Sequence, residues 1–194
     1  MGDNNSRLKS GINYYKMMAR LYLDNSYYFV TRSTFTKERY FNSNERKKII
    51  LDRFILAQKK FDFSLYAFSI ISNHYHYLTY LKQGKDLSLI EKFIAGGSSY
   101  ELNKFDRVER RVWDNYWAQI IENEKGLRKV LGYILGNPLK HGEVKDFKEL
   151  QIYQFSNYKK AIGQYGKLEI DDLIVSVEAL NLETRSNFEK LIAD

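Results

Sequence analysis

The chain has no cysteine, which excludes disulfides, thiolate metal centres and cysteine nucleophiles and fits a reducing, cytoplasmic setting. Proline occurs once, at Pro138, and histidine only three times in 194 residues. No apolar run reaches the roughly 18 residues that a membrane-spanning helix needs. The opening stretch, MGDNNSRLKSGINYYKMMARLYL, is too polar for a secretory signal, although its second half suits a short helix. Internal repeats, low-complexity tracts and linkers are also missing, so residues 1–194 read as one domain. What the chain has in excess is positive charge and aromatic rings. There are 31 Lys and Arg against 24 Asp and Glu, a formal charge of +7, and 16 tyrosines. A basic surface attracts polyanions, nucleic acid foremost, and aromatic rings can stack on unpaired bases.

The hydrophobic pattern alternates between the two regular periods. SYYFVTRS (26–33) reads as a strand, rich in β-branched and aromatic residues. NSNERKKIILDRFILAQKKF (42–61) reads as a helix, with Asn42 and Glu45 as a capping pair and Ile50, Phe54 and Ala57 as an apolar stripe. Strands over 63–71 and 74–81 follow, joined by a turn at Ser72-Asn73. Ser88 with Glu91 predicts the start of a second helix running towards Lys104, weakened at Gly96-Gly97. Residues 116–122 suit a fourth strand. A third helix from Asn123 is expected to stop at Asn137, because the residue before a proline resists the α conformation. The segment from Asp171 again looks helical. This order predicts an α+β fold, a ferredoxin-like antiparallel sheet with helices packed on one face.

Two of the three histidines stand in ISNHYHYLTYL (71–81). Side chains alternate along a strand, so His74 and His76 point to one face, with Cα atoms about 6.5–7 Å apart. Imidazoles converging from that base can reach a common metal ion. They can equally be two hydrogen-bonded core residues. A third ligand has to come from another element. In the helix from Asn123, Leu127, Leu131 and Ile134 form the core stripe, while Tyr133 and Asn137, four apart, share a neighbouring flank with Lys129. That flank carries a phenol, a carboxamide and an ammonium.

Asn73-His74-Tyr75-His76, followed by Tyr133-Ile134-Leu135-Gly136-Asn137-Pro138, resembles the HUH single-tyrosine transposases, and within them the REP-associated branch. Tyr28-Phe29-Val30-Thr31-Arg32, Trp113 with Tyr116-Trp117, and Phe155-Ser156-Asn157-Tyr158 resemble weaker family motifs. The resemblance spans about 26–158 and leaves 159–194 as a helical extension. Ile71-Ser72 replaces the family's usual Met-Pro, and Ser33 stands at a usual glycine.

The resemblance implies a site in which His74, His76 and the Asn137 side-chain oxygen hold Mg²⁺ or Mn²⁺ and Tyr133 is the nucleophile. It implies nicking and rejoining of single-stranded DNA beside hairpins through a 5′-phosphotyrosine, by a monomer or a homodimer with no membrane partner. Candidate DNA contacts are Arg32, Lys47, Lys48, Arg107, Arg110, Arg111, Lys129 and Lys140. Two rival readings stay open: a domesticated, non-catalytic binder of single-stranded or hairpin nucleic acid, and a rolling-circle initiator or relaxase.

Overall fold

The structure is a computed structural model that describes residues 22–178. The helix expected near the N-terminus and the last part of the C-terminal extension lie outside the described residues. In chain order the elements are β1 (Ser26–Ser33), α1 (Asn44–Phe61), β2 (Ser64–Ile70), β3 (His74–Leu81), α2 (Asp86–Asp106), β4 (Trp117–Ile121), α3 (Glu124–Lys140), α4 (Phe147–Ile152), α5 (Tyr158–Tyr165) and α6 (Lys167–Glu178). The four strands form one antiparallel sheet in the order β2-β3-β1-β4, the ferredoxin-like arrangement. No described helix is long and apolar enough to cross a membrane.

Alternation along the strands divides the core in two. Tyr28, Val30, Tyr75 and Tyr77 point to the face covered by the crossover helices α1 and α2, where Ile50, Phe54, Ala57, Ile90 and Ile94 complete a buried cluster. Phe29, Ala67 and Leu78 point the other way, against Val130 and Ile134 of α3, with Ile170 and Ile174 of α6 behind. The two crossover helices therefore share one face, and the elements after β4 add a second helical layer on the opposite face.

A fully buried carboxylate sits inside the α1–α2 layer. Glu91 accepts hydrogen bonds from the Tyr75 hydroxyl at 3.0 Å, the Tyr77 hydroxyl at 2.8 Å and the Arg32 guanidinium at 3.0 Å. Burial raises its pKa, and these partners act against that shift. A buried charge is tolerated only when paired and hydrogen-bonded in this way.

Several local expectations change in detail. Helix α1 is capped by Ser43, whose side chain accepts from the Arg46 N–H, so its cap lies one residue beyond Asn42. Helix α2 begins two residues before Ser88, with no side-chain cap. Glu91 is committed to the core network instead of a capping box. The helix also runs unbroken through Gly96-Gly97, and a Cβ at Gly97 would meet the Arg53 side chain of α1. The two helices therefore approach closely here. Helix α3 continues past Asn137 and ends at Lys140, with Pro138 inside it. Proline removes one hydrogen bond to the carbonyl four residues back. Near the helix end that loss is offset by the burial of Ile134, Leu135, Asn137 and Pro138.

Candidate active site

The site lies where the start of β3 meets the C-terminal half of α3. Strand β3 is the second of the two central strands, so its first residues are fixed from both sides. His74 pairs with Ser33 of β1, and His76 lies between Thr31 of β1 and Ser69 of β2. The two histidine rings are 4.7 Å apart, both on the α3 side of the sheet. On α3, Asn137 is fully buried and places its side-chain nitrogen 3.3 Å from His74 Nε2. Tyr133, one turn earlier, sets its ring edge-on to His76 at 5.2 Å and to Phe29 at 5.9 Å. The four residues expected to form a site, His74, His76, Tyr133 and Asn137, are thus brought together from two elements.

Each histidine is oriented through the nitrogen that faces away from its neighbour. His74 Nδ1 lies 2.9 Å from the Asn73 carboxamide oxygen. An amide oxygen only accepts, so Nδ1 carries the proton and Nε2 presents a lone pair. His76 Nδ1 lies 2.7 Å from the Thr31 hydroxyl, and its ring stacks on Phe29 at 5.5 Å. Its Nε2 is buried and has no hydrogen-bond partner among the described residues.

Burial drives the His74 pKa down to about 3, helped by His141, while Asn137 and Glu143 act in the opposite direction. Burial likewise holds His76 well below the ordinary histidine value, with His74, His141 and Lys140 adding to the effect. Both rings are therefore neutral at physiological pH, the form that ligates metals. An orphaned buried Nε2, a second Nε2 on the same face and a carboxamide are a donor set that fits a divalent cation. Rotating the Asn137 amide by half a turn exchanges its nitrogen and oxygen, which are nearly the same size. That rotation brings Oδ1 to the His74 side. Among the described residues no cluster of three or more His, Cys, Asp or Glu side chains is arranged to hold a metal, and the third donor that the resemblance implies is this amide.

The helix pattern carries one residue further than sequence reasoning took it. His141 follows Asn137 by four, as Asn137 follows Tyr133, and its ring lies edge-on to His74 at 4.8 Å. All three histidines of the chain therefore converge. The spacing was visible, but the expected helix stop at Asn137 hid it. Glu143 was also missed. Its carboxylate is an ion-pair partner of the buried Lys47 and accepts from the Ser72 N–H at 3.0 Å, which ties the segment after α3 to α1 and to the turn before His74.

The basic residues divide by location. Lys140 lies beside the site, its ammonium 5.7 Å from the Tyr133 ring. Lys129 is partly buried on α3. Arg32 and Lys47 turn inward instead of outward, into the pairs with Glu91 and Glu143, because a buried carboxylate requires a partner. Arg110 pairs with Asp106, Arg111 with Asp114 and Lys48 with Asp52, and Arg107 is exposed at the end of α2. Gly132, Gly136, Ile174 and Val177 line a shallow recess next to Tyr133 and Lys140.

With this geometry in hand, known structures become informative. No family model and no curated protein matches the chain. A solved structure described as a REP-associated tyrosine transposase bound to a REP hairpin does, at a TM-score of 0.63 and 21% identity, over 75% of this chain and 84% of that one. The two chains share a fold. A putative transposase from Deinococcus radiodurans R1 is a more distant match, with a TM-score of 0.42 and 16% identity over 59% of this chain and 92% of its own. The fold shared with the first of these agrees with the α+β, ferredoxin-like sheet expected from the strand and helix order.

Proposed function

We propose that this protein is a metal-dependent DNA strand transferase that nicks and rejoins single-stranded DNA beside a hairpin. The observation that supports it most is the meeting of the Tyr133 ring, the buried unpartnered His76 Nε2 and the His74–Asn137 pair at one point between β3 and α3. The fold shared with a REP-associated tyrosine transposase bound to a REP hairpin supports this choice of substrate class.

In this reading His74, His76 and Asn137 hold a divalent cation, Mg²⁺ or Mn²⁺. When bound, such an ion polarises the phosphate and offsets charge in the transition state. Asn73 and Thr31 keep the two rings turned so that each Nε2 faces the site. The Tyr133 oxygen attacks the phosphorus as the bond to the 3′-oxygen breaks, which leaves a 5′-phosphotyrosine and a free 3′-OH. One proton leaves the phenol and one is taken up by the released oxygen, so the step balances. Attack by another 3′-OH reverses it and joins strands. Lys140 places a positive charge beside the Tyr133 ring, where the phosphate has to sit.

The decisive experiment compares wild type with Tyr133→Phe on end-labelled single-stranded hairpin DNA in Mn²⁺. Wild type is expected to form a denaturation-resistant adduct that maps to Tyr133. The variant should bind the DNA and form none. An adduct on another tyrosine removes the assignment. Absence of cleavage by wild type across many hairpins and both metals favours the non-catalytic binder.

A further inference from the structure

Away from the histidines, the α3 side of the sheet ends in a cluster of tyrosines. Tyr27 of β1 and Tyr80 of β3 stand directly opposite each other, their rings 5.1 Å apart and inclined at 61°. Tyr66 of β2 meets Tyr27 at 5.4 Å and 65°. Tyr66 is 40% exposed and Tyr165 of α5 is 45% exposed. Partial burial raises the Tyr66 phenol pKa, and its neighbour Tyr27 raises it further. Tyr27 lies four residues along β1 from Thr31, the partner of His76, or about 13 Å at the usual rise per residue.

The backbone is bent to build this cluster. Leu65 pairs with Thr79, but Ala67 pairs with Leu78, so Tyr66 is the extra residue of a β-bulge. Bulges re-aim side chains, and this one turns Tyr66 to the same face as Ala67. The Asn157 side chain pins the bulge by donating to the Tyr66 carbonyl at 2.9 Å and accepting from the Phe68 N–H at 2.8 Å. Beside Tyr66 a groove is lined by Ser64, Asn157, Lys160 and Gln164, with no carboxylate among its lining residues.

We propose that the tyrosine platform and this groove bind unpaired nucleotides of a single-stranded DNA segment, with a base stacked on Tyr66 and the Lys160 ammonium against its phosphate. The inference rests on the DNA reading of the active site and deepens it. Tyr66 offers an exposed phenol face beside a groove that carries a positive charge. Phenol faces stack on any base, which suits sequence-tolerant contact with the strand that flanks a hairpin. The groove offers amide and hydroxyl groups for base edges and a positive charge for the backbone.

The test is fluorescence anisotropy of the full chain with labelled dT12 and with a blunt-ended hairpin, for wild type, Tyr66→Ala and Tyr66→Phe. Thermal melting checks that each variant is folded. Tyr66→Ala is expected to weaken dT12 binding about tenfold or more, the cost of losing one stacked base. Tyr66→Phe, which keeps the ring, should bind dT12 like wild type, and blunt-hairpin affinity should change in neither. Equal dT12 affinity for wild type and Tyr66→Ala overturns the platform, even if adducts still form at Tyr133. A wild-type dimer that Tyr66→Ala converts to a monomer also overturns it, in favour of a second copy on this face. Failure of wild type to form the adduct overturns the transferase reading alone, because the dT12 comparison still decides the platform.

Discussion

His76 shows how far one side chain depends on its surroundings. Its Nδ1 is held by Thr31, its ring is stacked on Phe29 and its Nε2 is buried without a partner. A buried polar atom left unpaired costs about 1–3 kcal/mol. His76 therefore contributes less to folding than its burial suggests, and a bound cation would satisfy the orphan atom. His76→Ala is expected to abolish Mn²⁺ binding measured by calorimetry, while the fold persists by circular dichroism. Wild type should gain thermal stability as Mn²⁺ is added, and the variant should not, since a ligand stabilises only a state that binds it. The same melting shift in both proteins would place the metal elsewhere. Tyr133 differs from His76 in that its ring packs against neighbours on several sides while its oxygen carries the proposed chemistry. Loss of that oxygen in Tyr133→Phe should cost less than about 1.5 kcal/mol of stability.

Helix α3 is the element that carries both the phenol and the amide, and two glycines set its position. A Cβ on Gly132 would come within 2.6 Å of the Leu173 carbonyl oxygen, and one on Gly136 within 2.7 Å of the Ile174 side chain. The glycines let α6 lie directly against the back of α3, so the tyrosine helix is clamped between the sheet and α6. Gly132→Ala is expected to destabilise by about 1–3 kcal/mol, the usual cost of overpacking, even though alanine is the better helix former. Gly96→Ala in α2, where nothing lies within 4 Å, should instead stabilise by about 1 kcal/mol. Urea denaturation of the two variants checks the contrast. A neutral Gly132→Ala would mean that α6 is free to move off α3. The continuation of α3 through Pro138 belongs to the same scale. Local preference predicted a stop, and burial of the last turn overrode it.

At the scale of the whole molecule, Glu143 joins three parts of the chain. It pairs with Lys47 of α1, accepts from Ser72 in the turn before His74, and follows the end of α3 closely. Both charged side chains are nearly inaccessible, at 6% and 7%. Burial acts to raise the Glu143 pKa, but the hydrogen bonds from Lys47 and Ser72 and the lysine charge outweigh it and hold the carboxylate below its ordinary value. The folded state then binds fewer protons here than the unfolded chain. The resulting stability is present above the ordinary glutamate pKa and is lost as pH falls through the folded one. Glu143→Gln should cost about 3–5 kcal/mol at pH 7, because Lys47 is left buried and unpaired. It should also flatten the acid limb of the stability curve below about pH 4.5. Replacing Lys47 with Met in the same variant should recover much of the loss. Urea titrations between pH 3 and 7 test all three outcomes, and an acid limb unchanged by Glu143→Gln would remove the clamp.

Although the short helix α4 was not foreseen, the sequence alone determined the order of elements from β1 to α3, because the switch between two-residue and 3.6-residue periods is a local property. The strand bounds 26–33 and 74–81 follow from it, as does the common face of His74 and His76. The spacing of Tyr133 and Asn137 placed them on one flank of one helix for the same reason. The ends of helices were less legible. The cap of α1 lies one residue on, at Ser43, α2 starts two residues before Ser88, and the stop before Pro138 was overridden by burial of the last turn, which no short window contains. Only the tertiary structure decided which side chains meet across long separations. It brought His141 to His74, turned Lys47 inward to Glu143, closed Arg32 and two tyrosine hydroxyls around Glu91, and gathered Tyr27, Tyr66 and Tyr80 at the open end of the sheet. A charge or a ring in a sequence has no stated partner. Burial and the crossing of the chain assign one, and that assignment separates the basic residues that hold the fold together from those left at the surface.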